Sequence, residues 1–184
     1  GLDGLVSGIA VIASIIIFLL SLDWDVKMSA TGIWALILAG SSLGFLIFNW
    51  QPAKIFLGEG GSIFIGFLLG VLSIISGSKI TTTLLVMGLP LLDVVWVVIQ
   101  RILRKESPFS HSDRKHLHYQ LGNLGLSRKE SVLILYLVAL AFGALAVYSG
   151  SLGKLIGLIF LLALMIILAM LIKNKKYGDT SQDQ

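Results

Sequence analysis

The polar stretch 107–119 holds all three histidines of the 184-residue chain, beside an aspartate, an arginine and a lysine. Imidazoles next to the Arg114 guanidinium suit a phosphate-bearing ligand, because charged donors make strong hydrogen bonds to phosphate oxygens. His116 and His118 point the same way only where the backbone is extended. A zinc site is the weaker alternative, since the loop offers no third strong ligand and the chain has no cysteine. A solvated basic loop is the other alternative.

A second polar stretch, 49–62, reads N-W-Q-P-A-K-I-F-L-G-E-G-G-S and surrounds Glu59 with glycines. A carboxylate in such a setting can approach a hydrated cation or a phosphate closely, because glycine leaves the backbone uncrowded and free to adopt positive φ. We expect Ser62 to cap the following helix, whose N-terminus would favour anions. A flexible turn without chemistry is the alternative.

Apolar segments long enough to cross a membrane must position these two loops. Hydrophobic residues make up 56% of the chain and charged residues only 13%, which argues against an ordinary water-soluble globule. A spanning helix needs about 20 apolar residues. The sequence predicts an all-α, polytopic membrane protein, a single integral membrane domain over 1–184, with about six transmembrane helices in the runs 5–22, 31–48, 62–77, 80–100, 131–149 and 153–172.

The distribution of cations predicts the orientation. If the N-terminus is cytoplasmic, eleven of the fourteen Lys and Arg residues fall in alternate segments on the same side. These segments are 49–61, a loop over 101–130, and a tail over 173–184. We therefore expect an inner-membrane protein with both ends of this chain in the cytoplasm. The net charge of +4 is then a topology signal, and nucleic acid is not an expected partner.

The fourth apolar run contains two unusual residues. Pro90 lacks a backbone N–H and should bend its helix. Asp93 is an ionisable group in an apolar span, which points either to function or to a structural ion pair.

These residues together resemble the polyprenyl-phosphate N-acetylhexosamine-1-phosphate transferases, a membrane family that includes phospho-N-acetylmuramoyl-pentapeptide transferase. Residues 1–5, G-L-D-G-L, are similar to the end of its D-G-x-D-G-L motif. Residues 52–62 resemble its P-A-K-x-F-x-G-D-x-G-S loop, and residues 113–118, D-R-K-H-L-H, resemble part of its last long cytoplasmic loop. The likeness runs from the first residue to about Leu121, and it is closer to the N-acetylglucosamine-1-phosphate branch than to the muramoyl-pentapeptide branch.

The resemblance implies transfer of a sugar-1-phosphate, N-acetylglucosamine-1-phosphate above all, from a UDP-sugar to a polyprenyl phosphate such as undecaprenyl phosphate. UMP would be released, and the product would serve cell-envelope polysaccharide synthesis. It implies a Mg²⁺ cofactor, with Mn²⁺ as an alternative, held by Asp3 and Glu59 as catalytic residues. The same resemblance implies that five polar residues bind the substrates: Asn49, Arg101, Arg114, His116 and His118. A homodimer is an open alternative.

Three departures from the family pattern qualify this expectation. The chain has no Asp-Asp dipeptide, Glu59 stands where the family has Asp, and Tyr119 stands where the motif ends in His. We therefore expect the chain to be the C-terminal part of a larger transferase. A catalytically inactive membrane scaffold is the main alternative, and a transporter is a weaker one because it would predict internal repeats.

Overall fold

The computed structural model describes residues 2–22, 30–75, 80–103, 105, 122 and 125–179. All regular structure among these residues is helical, which confirms the expected all-α class. The helices are α1 (Leu5–Leu22), α2 (Ala30–Asn49), α3 (Gly58–Ile75), α4 (Ile80–Val86), α5 (Gly88–Leu103), α6 (Arg128–Tyr148) and α7 (Ser151–Asp179).

Four of these helices, α1, α2, α3 and α6, are long and apolar enough to cross a membrane. The chain is therefore a multi-pass membrane protein. The predicted run 153–172 lies within α7. Among the described residues, the apolar part of α7 is Ser151–Ala163, which is shorter than the 18 residues of a candidate membrane span. The run 80–100 is divided between α4 and α5, so the total of six spans stays a prediction.

The break between α4 and α5 lies at Met87, three residues before Pro90. A helical residue at position 90 would donate to the carbonyl of Val86, four residues earlier, but proline has no N–H to give. The chain resumes its helical bonding when the Leu91 N–H donates to the Met87 carbonyl at 3.0 Å. The predicted bend is confirmed, and it is sharp enough to end one helix and begin another.

Helix α1 lies at the centre of the bundle and packs against α2, α3, α4 and α6. Its buried side chains alternate large and small, with Ile9, Ile12 and Ile16 beside Ala10 and Ala13. Small residues let membrane helices approach closely, which replaces the water-driven association that lipid cannot supply. The N-terminal end of α1 is therefore held by its neighbours rather than by lipid.

Helices α1 and α6 touch at two glycines. A Cβ added at Gly8 would lie 1.9 Å from the Tyr136 hydroxyl, and one added at Gly143 would lie 2.0 Å from Cδ1 of Ile16. At Gly8 three atoms of the Tyr136 side chain leave no room for a Cβ, whereas at Gly143 the end of the Ile16 side chain would have to move. The contact places the first turns of α6 beside the N-terminus of α1.

Helix α6 begins with a reciprocal capping box that the sequence analysis missed, although its S-x-x-E pattern is visible. The Glu130 N–H donates to Ser127 Oγ at 3.3 Å, and the Ser127 N–H donates to Glu130 Oε2 at 2.7 Å. The cap satisfies two backbone donors that would otherwise lack partners. It fixes where α6 starts, about two helical turns before Tyr136.

Candidate active site

Asp3 lies in the turn that leads into α1. The Leu5 N–H donates to the Leu2 carbonyl at 3.3 Å, and Gly4 has a φ of +78°. That left-handed conformation strains most residues with a Cβ. The turn leaves Asp3 half-buried, with its carboxylate facing the loop that follows α2.

Asn49, the last residue of α2, joins this turn to the loop 50–57. Its side chain is buried, with 6% exposed. Its Oδ1 accepts from the Gly4 N–H and from Ser7 Oγ, both at 3.0 Å, and its Nδ2 donates to the Ile55 carbonyl at 2.9 Å. All three bonds are to protein partners, so Asn49 acts in this structure as a bridge between two segments. Its substrate-binding role stays a prediction.

The loop 50–57 folds back onto the end of α2. The N–H groups of Lys54 and Ile55 donate to the Phe48 carbonyl at 2.8 and 3.4 Å. The Ala53 N–H donates to Asp3 Oδ2 at 3.3 Å, while Oδ1 makes no hydrogen bond to any described residue. One carboxylate oxygen of Asp3 therefore has a protein donor, and the other has none among the described residues. The exposed Lys54 lies on the same loop.

Glu59 lies in the first turn of α3, and its side chain is exposed. The helix begins at Gly58, whose φ is +70°, so the predicted N-cap at Ser62 is wrong. Ser62 lies one turn inside the helix, where its Oγ donates to the Glu59 carbonyl at 2.8 Å. A negative charge in the first turn interacts favourably with the helix dipole and stabilises the helix, so Glu59 also has a structural role.

Tyr136 is a member of the site that sequence reasoning missed. Its hydroxyl donates to the Gly4 carbonyl from α6, 132 residues along the chain. Its ring also lies beside that of Trp50, with centroids 6.3 Å apart. A tyrosine in an apolar span carries no sequence signal for such a contact, because the contact depends on how the helices pack.

The remaining predicted residues divide into two groups. Arg101, in the last turn of α5, is buried with 8% exposed, and Asp93 on the same helix is half-buried. Arg114, His116 and His118 lie outside the described residues, as does Tyr119. Their roles remain predictions.

The resemblance implies a bound Mg²⁺, and the described carboxylates bear on which residues would hold it. No group of three or more His, Asp or Glu side chains able to hold a metal occurs among the described residues. Mg²⁺ commonly binds through only one or two carboxylates and completes its shell with water and substrate phosphates. Asp3, one of whose oxygens accepts no hydrogen bond from a described residue, and the exposed Glu59 are each a carboxylate ligand of that kind.

Comparisons with known proteins agree with the site's motifs. The model of glycosyl transferase family 4 matches residues 1–77, which include the Asp3 turn, the loop 50–57 and Glu59. A probable undecaprenyl-phosphate N-acetylglucosaminyl 1-phosphate transferase of Bacillus subtilis is 36% identical over 153 residues, which are 80% of this chain and 42% of the relative.

Two other relatives are transferases with different names. A decaprenyl-phosphate N-acetylglucosaminephosphotransferase of Mycolicibacterium smegmatis is 30% identical over 206 residues, covering 97% of this chain and 50% of the relative. A phospho-N-acetylmuramoyl-pentapeptide-transferase of Oceanobacillus iheyensis is 32% identical over 148 residues, covering 80% and 45%.

The helices and the site describe a multi-pass membrane protein with a carboxylate-bearing site at the ends of its helices. On the matches above, the chain belongs to glycosyl transferase family 4. It spans about half the length of the curated relatives it matches.

Proposed function

We propose that this chain forms part of an enzyme that transfers N-acetylglucosamine-1-phosphate from its UDP derivative to a polyprenyl phosphate. An oxygen of the lipid phosphate attacks the β-phosphorus of the UDP-sugar. The bond between that phosphorus and the bridging oxygen breaks, UMP leaves, and the sugar remains on a new polyprenyl diphosphate. The observation that carries the proposal is the joining of the Asp3 turn to the loop 50–57 by Asn49 and by the Ala53–Asp3 hydrogen bond.

In this proposal Asp3 and Glu59 hold Mg²⁺, or Mn²⁺ in its place, and the ion when bound neutralises charge on the diphosphate. The protein's own groups position the reactants, since phosphoryl transfer needs alignment and charge neutralisation more than covalent help. The Ala53 N–H contacts one oxygen of Asp3, and the other oxygen is the proposed ligand. Lys54 adds a positive charge at its edge.

The 101–130 segment completes the proposed site as a cytoplasmic substrate-binding loop. Arg114, His116 and His118 supply donors to the nucleotide diphosphate, and Arg101, in the last turn of α5, adds a further phosphate partner. The proposed topology places this loop, the loop 50–57 and the 173–184 tail on the cytoplasmic side.

The choice of N-acetylglucosamine rests on two supports. The D-R-K-H-L-H sequence resembles that branch, and the Bacillus subtilis relative, at 36% identity, is named for N-acetylglucosamine transfer. The phospho-N-acetylmuramoyl-pentapeptide-transferase relative has a similar sequence identity, 32%. The assay must therefore offer both nucleotide sugars.

The test measures UMP release and lipid-linked sugar by the full-length protein in detergent with polyprenyl phosphate. We expect Glu59→Gln to lose nearly all activity, because a neutral amide is a poor Mg²⁺ ligand. Glu59→Asp should retain or raise activity because it keeps the charge and matches the family residue. Asp179→Asn, a charge removal at the end of α7, is the control and should not change the rate.

Three outcomes would contradict the proposal. Full activity in Glu59→Gln removes this residue from the mechanism. A parent protein inactive with both nucleotide sugars supports the inactive scaffold. Preference for UDP-N-acetylmuramoyl-pentapeptide overturns the assignment of the sugar.

A further inference from the structure

Gly4, directly after Asp3, is held through both its N–H and its carbonyl, which belong to the peptide units on either side of its Cα. Its N–H donates to Asn49 Oδ1 at 3.0 Å. Its carbonyl oxygen accepts from the Gly8 N–H at 2.9 Å, from Ser7 Oγ at 3.2 Å and from the Tyr136 hydroxyl. Ser7 Oγ shares its single proton with Asn49 Oδ1, 3.0 Å away. These three donors still exceed what a helix start needs, since the Gly8 N–H alone supplies the ordinary helical bond.

Tyr136 is the only one of these three donors that comes from another helix. Its ring is confined on one side by the Cα of Gly8, where even a Cβ would overlap it, and on another by the ring of Trp50. The hydroxyl therefore reaches Gly4 from a fixed direction. The two contacts make α6 a rigid support for the Asp3 turn.

The Asp3 carboxylate depends on this support. Its described hydrogen bond, from the Ala53 N–H, is 3.3 Å long, beyond the usual N–H···O range of 2.7–3.2 Å. So weak a bond restrains the side chain poorly by itself. Rotation of the Gly4 peptide would move the Asp3 backbone, and with it the carboxylate.

We propose that Tyr136 is a positioning residue for Asp3, which it holds through the Gly4 carbonyl in the geometry that a bound divalent cation requires. This inference rests on the proposed function, in which Asp3 is a cation ligand. Mg²⁺ tolerates little departure from octahedral geometry, so a loosened turn weakens cation binding before it affects any other step. The hydroxyl itself touches neither the cation nor the substrates.

The experiment compares Tyr136→Phe with the parent in the full-length protein, and measures transfer rate against Mg²⁺ concentration and the folded fraction by thermal unfolding. We expect the Mg²⁺ concentration for half-maximal rate to rise roughly 2- to 13-fold, the equivalent of one ordinary hydrogen bond. The rate at saturating Mg²⁺ should change much less. Tyr148→Phe, the same change at an 89% exposed position of α6, is the control and should match the parent.

Gly8→Ala tests the same contact from the other side, because its methyl group would displace the tyrosine ring. We expect a larger rise in the Mg²⁺ requirement than in Tyr136→Phe. Gly40→Ala adds a methyl where no described atom lies within 4 Å, so it serves as the control. Should Tyr136→Phe fail to accumulate, Ser7→Ala removes a second side-chain donor to Gly4 and should raise the Mg²⁺ requirement in the same direction.

A purely structural role would lower the folded fraction and leave the Mg²⁺ dependence of the remaining protein at the parent value, and that result overturns the proposal. Asp3→Asn separates this failure from failure of the proposed function. If Asp3→Asn is inactive while all folded variants keep the parent's Mg²⁺ requirement, only the positioning role is wrong. If Asp3→Asn is fully active, the cation assignment itself is wrong, and the positioning role falls with it.

Discussion

Replacement of Asn49 by alanine should destabilise the protein, because the side chain joins the start of α1 to the loop 50–57. The substitution removes the hydrogen bonds to the Gly4 N–H, Ser7 Oγ and the Ile55 carbonyl, which are 2.9 to 3.0 Å long. At about 0.5–1.5 kcal/mol net for each bond, the free energy of unfolding should fall by roughly 1.5–4.5 kcal/mol. Burial of the site places the loss toward the upper part of that range, since water cannot easily replace the lost partners.

The assay is unfolding of the full-length protein in mixed detergent micelles, with increasing denaturing detergent and with tryptophan fluorescence as the signal. Ser41→Ala, on the same helix, is the matched control. Its hydroxyl donates to the Leu38 carbonyl three residues earlier at 3.1 Å, a local bond within one helix, so its loss should cost at most about 0.5 kcal/mol.

A double-mutant cycle isolates one contact of the bridge. Because Ser7 Oγ and Asn49 Oδ1 are bonded directly, Ser7→Ala and Asn49→Ala should be non-additive by about 0.5–1.5 kcal/mol. An Asn49→Ala protein as stable as the parent, with transfer activity lost, would refute this reasoning and restore the predicted substrate contact.

Two further predictions concern the segments that connect the helices. Single cysteines at Lys54, Arg114 and Lys175 should react with an impermeant thiol reagent only after membrane permeabilisation, because the cation distribution places all three in the cytoplasm; labelling in sealed cells would contradict the topology. His116→Ala and His118→Ala should each lower turnover about tenfold to a hundredfold without loss of folded protein, as expected for a charge-assisted phosphate contact. Stoichiometric zinc in the purified protein, lost with either histidine, would instead identify a structural metal site.

Much of the fold could be predicted from the sequence because membrane helices depend on local properties. An apolar run such as 5–22 must satisfy its backbone hydrogen bonds within itself in lipid, so its length and composition are enough to predict a helix. The bend before Pro90 follows from a missing N–H, which is equally local. The motif residues Asp3 and Glu59 were recognisable because they stand in short, contiguous patterns.

Local patterns misled at one position and were silent at another. Ser62 is a residue type that often caps helices, but α3 begins four residues earlier, at Gly58, which has positive φ. The substrate-binding role of Asn49 stays a prediction, but its sequence context did not show that the side chain bridges two segments of the protein. Two of its partners, Gly4 and Ser7, lie 45 and 42 residues before it, and the third, Ile55, lies 6 residues after it. No rule of sequence spacing predicts these contacts.

The sequence by itself determined that the chain crosses a membrane as helices and that carboxylates occupy two glycine-rich motifs. Only the tertiary structure decided how those motifs are held together. The contact of Tyr136 with Gly4 joins residues 132 positions apart, and it exists because Gly8 leaves room for the ring between α1 and α6. Such an arrangement depends on the shapes of two helix surfaces in contact, a property that neither helix's sequence contains alone.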